Sequence, residues 1–134
     1  MSMGGILNIF RRLFKYRRHK RSVVQGGTFV VVSPGTNREQ KVQLIDISQG
    51  GMAFVYEGSP EELEKSGFLK MIGESQPYLE NYNYETAFDA PVHGGGDVQS
   101  SVPYRRRGVK FKWLGTIQKM ELKDYIKKVS IIQE

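Results

Sequence analysis

The chain has 134 residues, 39% of them hydrophobic, no cysteine and a net charge of +6. That is enough for one domain with a real core plus a short extension. The absence of cysteine excludes disulfides and thiolate metal sites, and is compatible with a reducing cytoplasm. No uninterrupted apolar stretch reaches the roughly 18 residues of a membrane span, and the N-terminus lacks the apolar run and cleavage site of a secretory signal. The charge is unevenly placed. Residues 1–21 hold seven cations and no acid, while the remainder carries 13 basic and 14 acidic residues, a net of −1. A nucleic-acid-binding domain more often spreads its basic face across the fold.

Gly4 to Lys15 is expected to form an amphipathic helix, with Ile6, Phe10, Leu13 and Phe14 on one stripe and Arg11, Arg12 and Lys15 largely off it. Packing on the domain or in a homodimer is the favoured use of that stripe; contact with a membrane surface is the less favoured one. The basic run Tyr16-Arg17-Arg18-His19-Lys20-Arg21 follows, which in isolation reads as a solvated stretch. Val23 to Ser33 is β-branched and aromatic and reads as the first strand, with Gly26-Gly27 as a bulge. After the turn Pro34-Gly35-Thr36-Asn37 comes a strand over Lys41 to Ile47, with Val42, Leu44 and Asp46 on one face. Asp46 to Gly51 is a tight connection, in which Asp and Ser bond the backbone and Gly supplies a positive φ, leading into Met52 to Glu57.

Ser59-Pro60-Glu61-Glu62 has the pattern of a capping box with proline in the first turn. Strands are expected over Phe68 to Ile72 and over Tyr82 to Val92, where Tyr82, Tyr84, Thr86 and Phe88 alternate. His93 to Ser101 reads as a glycine-rich loop without the Gly-Lys-Ser/Thr of a phosphate loop. Val102 to Leu114 is a long strand with Val109, Phe111 and Trp113 on one face. A C-terminal helix runs from Ile117 to Ile131, with Thr116 as its N-cap and Met120, Leu122, Tyr125, Ile126 and Val129 as its apolar face.

Two histidines in unrelated contexts, no metal-ligand spacing and no nucleophile–base arrangement give the chain a poor catalytic inventory, so it reads as a binding protein rather than an enzyme, with no cofactor. The positive constellation is Arg17 and Arg21, four apart, followed one hairpin later by Asp46, Ser48 and Gly51. Two guanidinium forks can grip phosphate and stack on bases. Each charge-assisted bond contributes roughly 1.5–3 kcal/mol. Two or three therefore supply about half of the ~8 kcal/mol of a micromolar complex. Asp46 can accept from the N1–H and N2–H₂ of a guanine edge, so the set fits a small dianion with purine faces.

R-x-x-x-R followed by D-x-S-x-x-G resembles the PilZ domain, the bacterial receptor module for cyclic di-GMP. The resemblance covers roughly residues 16–128 and leaves residues 1–15 as an N-terminal basic segment beside a domain spanning 16–134. It implies a mainly β fold: a six-stranded antiparallel barrel with a C-terminal helix, here preceded by the short amphipathic helix. It also implies that Arg17 and Arg21 grip phosphate and stack on guanine, while Asp46, Ser48 and Gly51 line the other side; Gly108-Val109-Lys110-Phe111 is similar to the family's late strand. Arg18, Gly50 and Trp113 are secondary candidates, Trp113 more readily as a core indole than as a stacking ring. The sequence departs from the family at Tyr16, where many members have a further arginine, and over 74–101, which is longer and richer in glycine. The expected function is a cytoplasmic cyclic di-GMP receptor or adaptor whose N-terminal arm changes order on binding and signals to a protein partner. The alternatives are a small barrel binding RNA or single-stranded DNA through 11–21 and 105–112, and a PilZ-like interaction module that binds no nucleotide.

Overall fold

The computed structural model describes residues 21–72, 77–92 and 104–133. The expected first strand is two: Ser22–Val24 (β1) and Phe29–Val32 (β2). Between them Gly27 takes a φ of +86°, and Thr28 Oγ1 donates to Gln25 O at 2.8 Å, so the glycine pair makes a turn and not a bulge. Then come Gln40–Ile47 (β3), Gly51–Glu57 (β4), a 3₁₀ turn at Pro60–Glu62, Ser66–Ile72 (β5), Pro77–Pro91 (β6), Tyr104–Phe111 (β7), Thr116–Val129 (α1) and Ser130–Gln133 (β8). The capping box is present: Glu62 Oε2 accepts from the Ser59 N–H at 2.9 Å.

Six strands close into an antiparallel barrel in the order β2-β5-β6-β7-β4-β3, with β3 returning to β2; β1 and β8 extend the sheet beyond β3. β3 thus serves two partners along one edge. Gln40 to Gln43 pair with β2, and Asp46 and Ile47 pair with β1. At the changeover Ile45 is an extra residue opposite β4, since Leu44 faces Phe54 and Asp46 faces Ala53. This bulge shifts the side-chain phase by one. Val42 and Leu44 point into the core, then Ile47 does, and Asp46 is turned outward. A second bulge at Ala87 does the same to β6, where Thr86 faces Val109 and Phe88 faces Gly108. Tyr82 and Tyr84 are core residues, whereas Phe88, read as sharing their face, lies outside.

The core is filled from the inward positions, among them Val30, Leu44, Phe54, Leu69, Met71 and Tyr82. α1 packs Leu122, Tyr125 and Ile126 onto it and is held by Tyr82 Oη donating to Gln118 O at 2.7 Å. Met120, assigned to that apolar face by its spacing, is exposed. The N-cap is Gly115, one residue earlier than expected, with Gln118 Oε1 accepting from the Gly115 N–H at 3.1 Å. The helix also ends sooner, because Ser130 adopts extended φ/ψ and Ser130 to Gln133 pair with β1. β-branched Ile131 and Ile132 favour that ladder over another helical turn.

One ionic cluster sits inside the barrel. Arg107, 2% exposed, donates from Nε to Asp89 Oδ2 at 2.8 Å and from its two Nη atoms to Glu64 O and Pro60 O, each at 2.9 Å. Arg105 and the Tyr56 hydroxyl complete the set of donors to Asp89. Burial opposes ionisation of Asp89, yet the hydrogen bonds from Tyr56, Arg105 and Arg107 outweigh it and hold the carboxyl below its ordinary value. Burial first, and the bond to Asp89 second, push Tyr56 up to about 12, so it stays a donor at neutral pH.

Candidate functional site

A cavity of about 610 Å³ lies on the outer face of the barrel where β3, β4, β6 and β7 run side by side. Its floor is low because the outward positions there are small. Gly51 and Ala53 on β4 lie next to Gly108 on β7, and Gly51 pairs with Lys110. A Cβ on Gly51 would overlap the Val109 carbonyl oxygen. The glycine is therefore required by close approach of the two strands, and not by a positive φ as the turn pattern suggested.

The turn before Gly51 is tied down at several points. The Ser48 N–H donates to Gly51 O at 2.8 Å, and Ser48 Oγ accepts from the Gly50 N–H at 3.1 Å. Gly50 O accepts from the Phe111 N–H at 3.0 Å, which docks the turn on β7. Asp46 reaches the cavity through the Ile45 bulge, and Arg21 reaches it because β1 pairs beside Asp46, with Val23 opposite Asp46 and Ser22 opposite Ile47. Arg21, Asp46, Ser48, Gly50 and Gly51 thus line one cavity. Arg17, Arg18 and the Gly4–Lys15 helix lie outside the described residues, as does the loop 93–101. Trp113 does not line the cavity. It is 81% exposed on backbone with φ +52°, so it is neither a core indole nor a wall of this site.

Sequence reasoning passed over two neighbours that the fold brings in. Arg106, on β7, reaches across β4 to Asp46, Nη2 to Oδ2 at 3.0 Å. Phe88, on β6, stands against Gly108 in the cavity wall. The arginine was visible only as part of a basic run; its partner depends on Asp46 being turned outward. The charge balance favours an anion. Asp46 is engaged by Arg106, whereas Arg21 and Lys110 make no ion pair among the described residues. Glu85, opposite Lys110 in the ladder, is held by Lys112 at 2.6 Å. In a second cavity, about 800 Å³ around Pro60, Glu64, Asp89 and Arg107, both arginines are already paired, Arg38 with Glu64 and Arg107 with Asp89. Among the described residues no cluster of His, Asp and Glu could hold a metal ion, and no helix is long and apolar enough to cross a membrane.

No family model matches the sequence, and no curated protein matches it. Solved structures do match. The PilZ domain of YcgR from Escherichia coli, determined with cyclic di-GMP, superposes with a TM-score of 0.66 at 17% identity, covering 84% of this chain and 90% of that one. MrkH, described as a cyclic di-GMP-dependent transcription regulatory factor, gives 0.61 at 14% identity, over 84% of this chain and 50% of its own. The longer YcgR chain from E. coli in complex with cyclic di-GMP gives 0.59 at 16%, over 84% and 45%. The chain therefore spans the isolated domain almost fully but only about half of the two longer proteins. At these identities the likeness establishes architecture alone: the chain has the fold of the PilZ domain structures it matches.

Proposed function

We propose that the chain is a non-enzymatic receptor for cyclic di-GMP. The observation that carries the reading is the convergence of Arg21, Asp46, Ser48 and Gly51 on one outer cavity that retains two unpaired cations, Arg21 and Lys110, among the described residues. Arg21 takes a phosphate, joined by Arg17 from the lead-in, and Asp46 exchanges or shares Arg106 to accept a guanine edge. Small residues at Gly51 and Ala53 keep that part of the floor low and the Phe88 ring lies over Gly108, so a flat ligand would settle beside the ring. The solved neighbours that carry cyclic di-GMP support the reading through their fold. As an adaptor, the chain would pass the signal to a protein partner by a change of order in its N-terminal arm.

The RNA or single-stranded DNA alternative loses ground on one particular. It needed residues 105–112 as a free basic face, but Arg105 and Arg107 are spent on Asp89, and Arg106 on Asp46. Calorimetry with cyclic di-GMP and with an oligonucleotide decides between the readings. Micromolar or tighter binding of the dinucleotide alone is expected; binding of the oligonucleotide alone, or of neither, refutes the receptor. Hydrogen exchange with and without the ligand tests the arm, since residues 10–24 should gain protection on binding.

A further inference from the structure

Phe88 belongs to no motif in the sequence, yet it is 43% exposed on β6, beyond Glu85 where the pairing with β5 ends and where β7 is its ladder partner. Regular alternation from the core residues Tyr82 and Tyr84 would turn it inward. Two features of the backbone hold it out. The Ala87 bulge reverses the side-chain phase between Tyr84, which is core, and Phe88, which is not. Opposite, Gly108 leaves open the space that the ring fills, since a Cβ there would overlap the Phe88 ring. The ring is thus set against the β7 backbone with its remaining surface in the cavity that Arg21, Asp46 and Ser48 also line.

Those motif residues offer charge and hydrogen bonds but no aromatic plane. The geometry points to Phe88 as a nucleobase-stacking platform, taking the face of a purine whose phosphates are held by Arg21. The inference rests on the cyclic di-GMP reading and adds to it the group that gives the base itself an apolar contact. The competing role is structural: the ring merely covers the glycine in the adjacent strand. The two differ in what the ligand feels. Removing a stacking ring weakens binding by roughly 5- to 150-fold, whereas removing a cover changes only the stability of the free domain.

Trp113 is the chain's one tryptophan and lies outside the cavity, so W113F/F88W places a lone indole at position 88. Calorimetry with cyclic di-GMP on wild type, F88L and W113F/F88W, with indole fluorescence on the last, forms the test. F88L should bind roughly 5- to 150-fold more weakly. W113F/F88W should retain affinity and lose indole emission as cyclic di-GMP saturates it. Unchanged affinity in F88L, or an indole at 88 whose emission does not respond at calorimetric saturation, overturns the stacking role and leaves the receptor intact. A wild type that binds no cyclic di-GMP overturns the receptor and the platform with it. Should F88L fail to fold, the emission of W113F/F88W decides alone.

Discussion

Replacing Arg107 by methionine removes a charge from the interior while keeping most of the side chain's volume. Arg107 and Asp89 are 2% and 11% exposed, so the carboxylate left behind cannot recover its hydration. Breaking a buried pair by deleting one partner costs about 3–5 kcal/mol. Asp89 keeps Arg105 and Tyr56, which argues for the lower half of that range, but Glu64 O and Pro60 O also lose their donor at about 1 kcal/mol each. The expected loss is about 5–6 kcal/mol, or a fall of roughly 20 °C in the thermal midpoint for a chain of this size. Urea unfolding followed by circular dichroism on wild type, R107M, D89N and R107M/D89N measures both the loss and the coupling. The double variant should be more stable than R107M alone, because it no longer buries an unpaired anion. A loss in R107M below about 1 kcal/mol, or additive losses in the double variant, would refute the reading of Arg107 and Asp89 as a coupled buried pair.

Arg21→Ala should abolish measurable cyclic di-GMP binding while leaving the apo thermal midpoint nearly unchanged, since Arg21 makes no ion pair among the described residues; an unfolded apo-variant would assign it a structural role. Asp46→Ala should cost more affinity for cyclic di-GMP than for cyclic di-AMP, because adenine presents no N1–H and N2–H₂ pair, and equal losses by calorimetry would mean that Asp46 only shapes the sheet edge. In acid, Asp89 should act as a stability switch. Its carboxyl is depressed in the folded state, so its contribution is fully present above the unfolded value near pH ~4 and disappears as pH falls through the lower folded value. Asp89→Asn should therefore flatten the stability-versus-pH curve below about pH 4, and a variant with the wild-type slope there would count against the assignment.

Much of the barrel was legible in the sequence because its strands carry simple alternation and its turns carry strong punctuation. Phe68 to Ile72, Met52 to Glu57 and the capping box at Ser59 all fall where spacing and residue type put them. Where reading failed, a local irregularity had reset the count. Asp46 was grouped with Val42 and Leu44, and Phe88 with Tyr82 and Tyr84, because period-two alternation cannot foresee an extra residue; Ile45 and Ala87 are such residues. Trp113 failed for a related reason. Its left-handed backbone, at φ +52°, breaks the alternation that began with Val109 and Phe111. β8 was hidden inside the helical pattern because Ile131 fits an apolar helix face as well as a strand, and only pairing with β1 separates the two.

These irregularities are also what make the site. A regular β3 would carry the phase of Val42 and Leu44 through to Asp46 and send a carboxylate into the core. With Ile45 inserted, Ile47 takes the inward place and Asp46 comes out beside Ala53. At that same point β3 leaves β2 and takes β1 as its neighbour, which brings Arg21 to the cavity that Asp46 lines. A regular β6 would likewise bury Phe88 and expose Asp89, depriving Arg107 of its counter-ion inside the barrel and the outer cavity of its ring. The Ala87 insertion corrects both, since Asp89 and Phe88 are adjacent and face opposite ways. Each bulge gives up one ladder position and leaves the inward pattern intact on either side, so its cost to the core is small. The two bulges lie on β3 and β6, the strands flanking β4 and β7, whose outward residues Gly51, Ala53 and Gly108 are too small to fill the space between. A polar side chain and an aromatic one are thereby raised on either side of Gly51 and Ala53, the ring resting on Gly108, with Arg21 at one end. That arrangement follows from where two strands miscount, and it explains why the motif residues converge while the more conspicuous arginines at 105 and 107 remain structural.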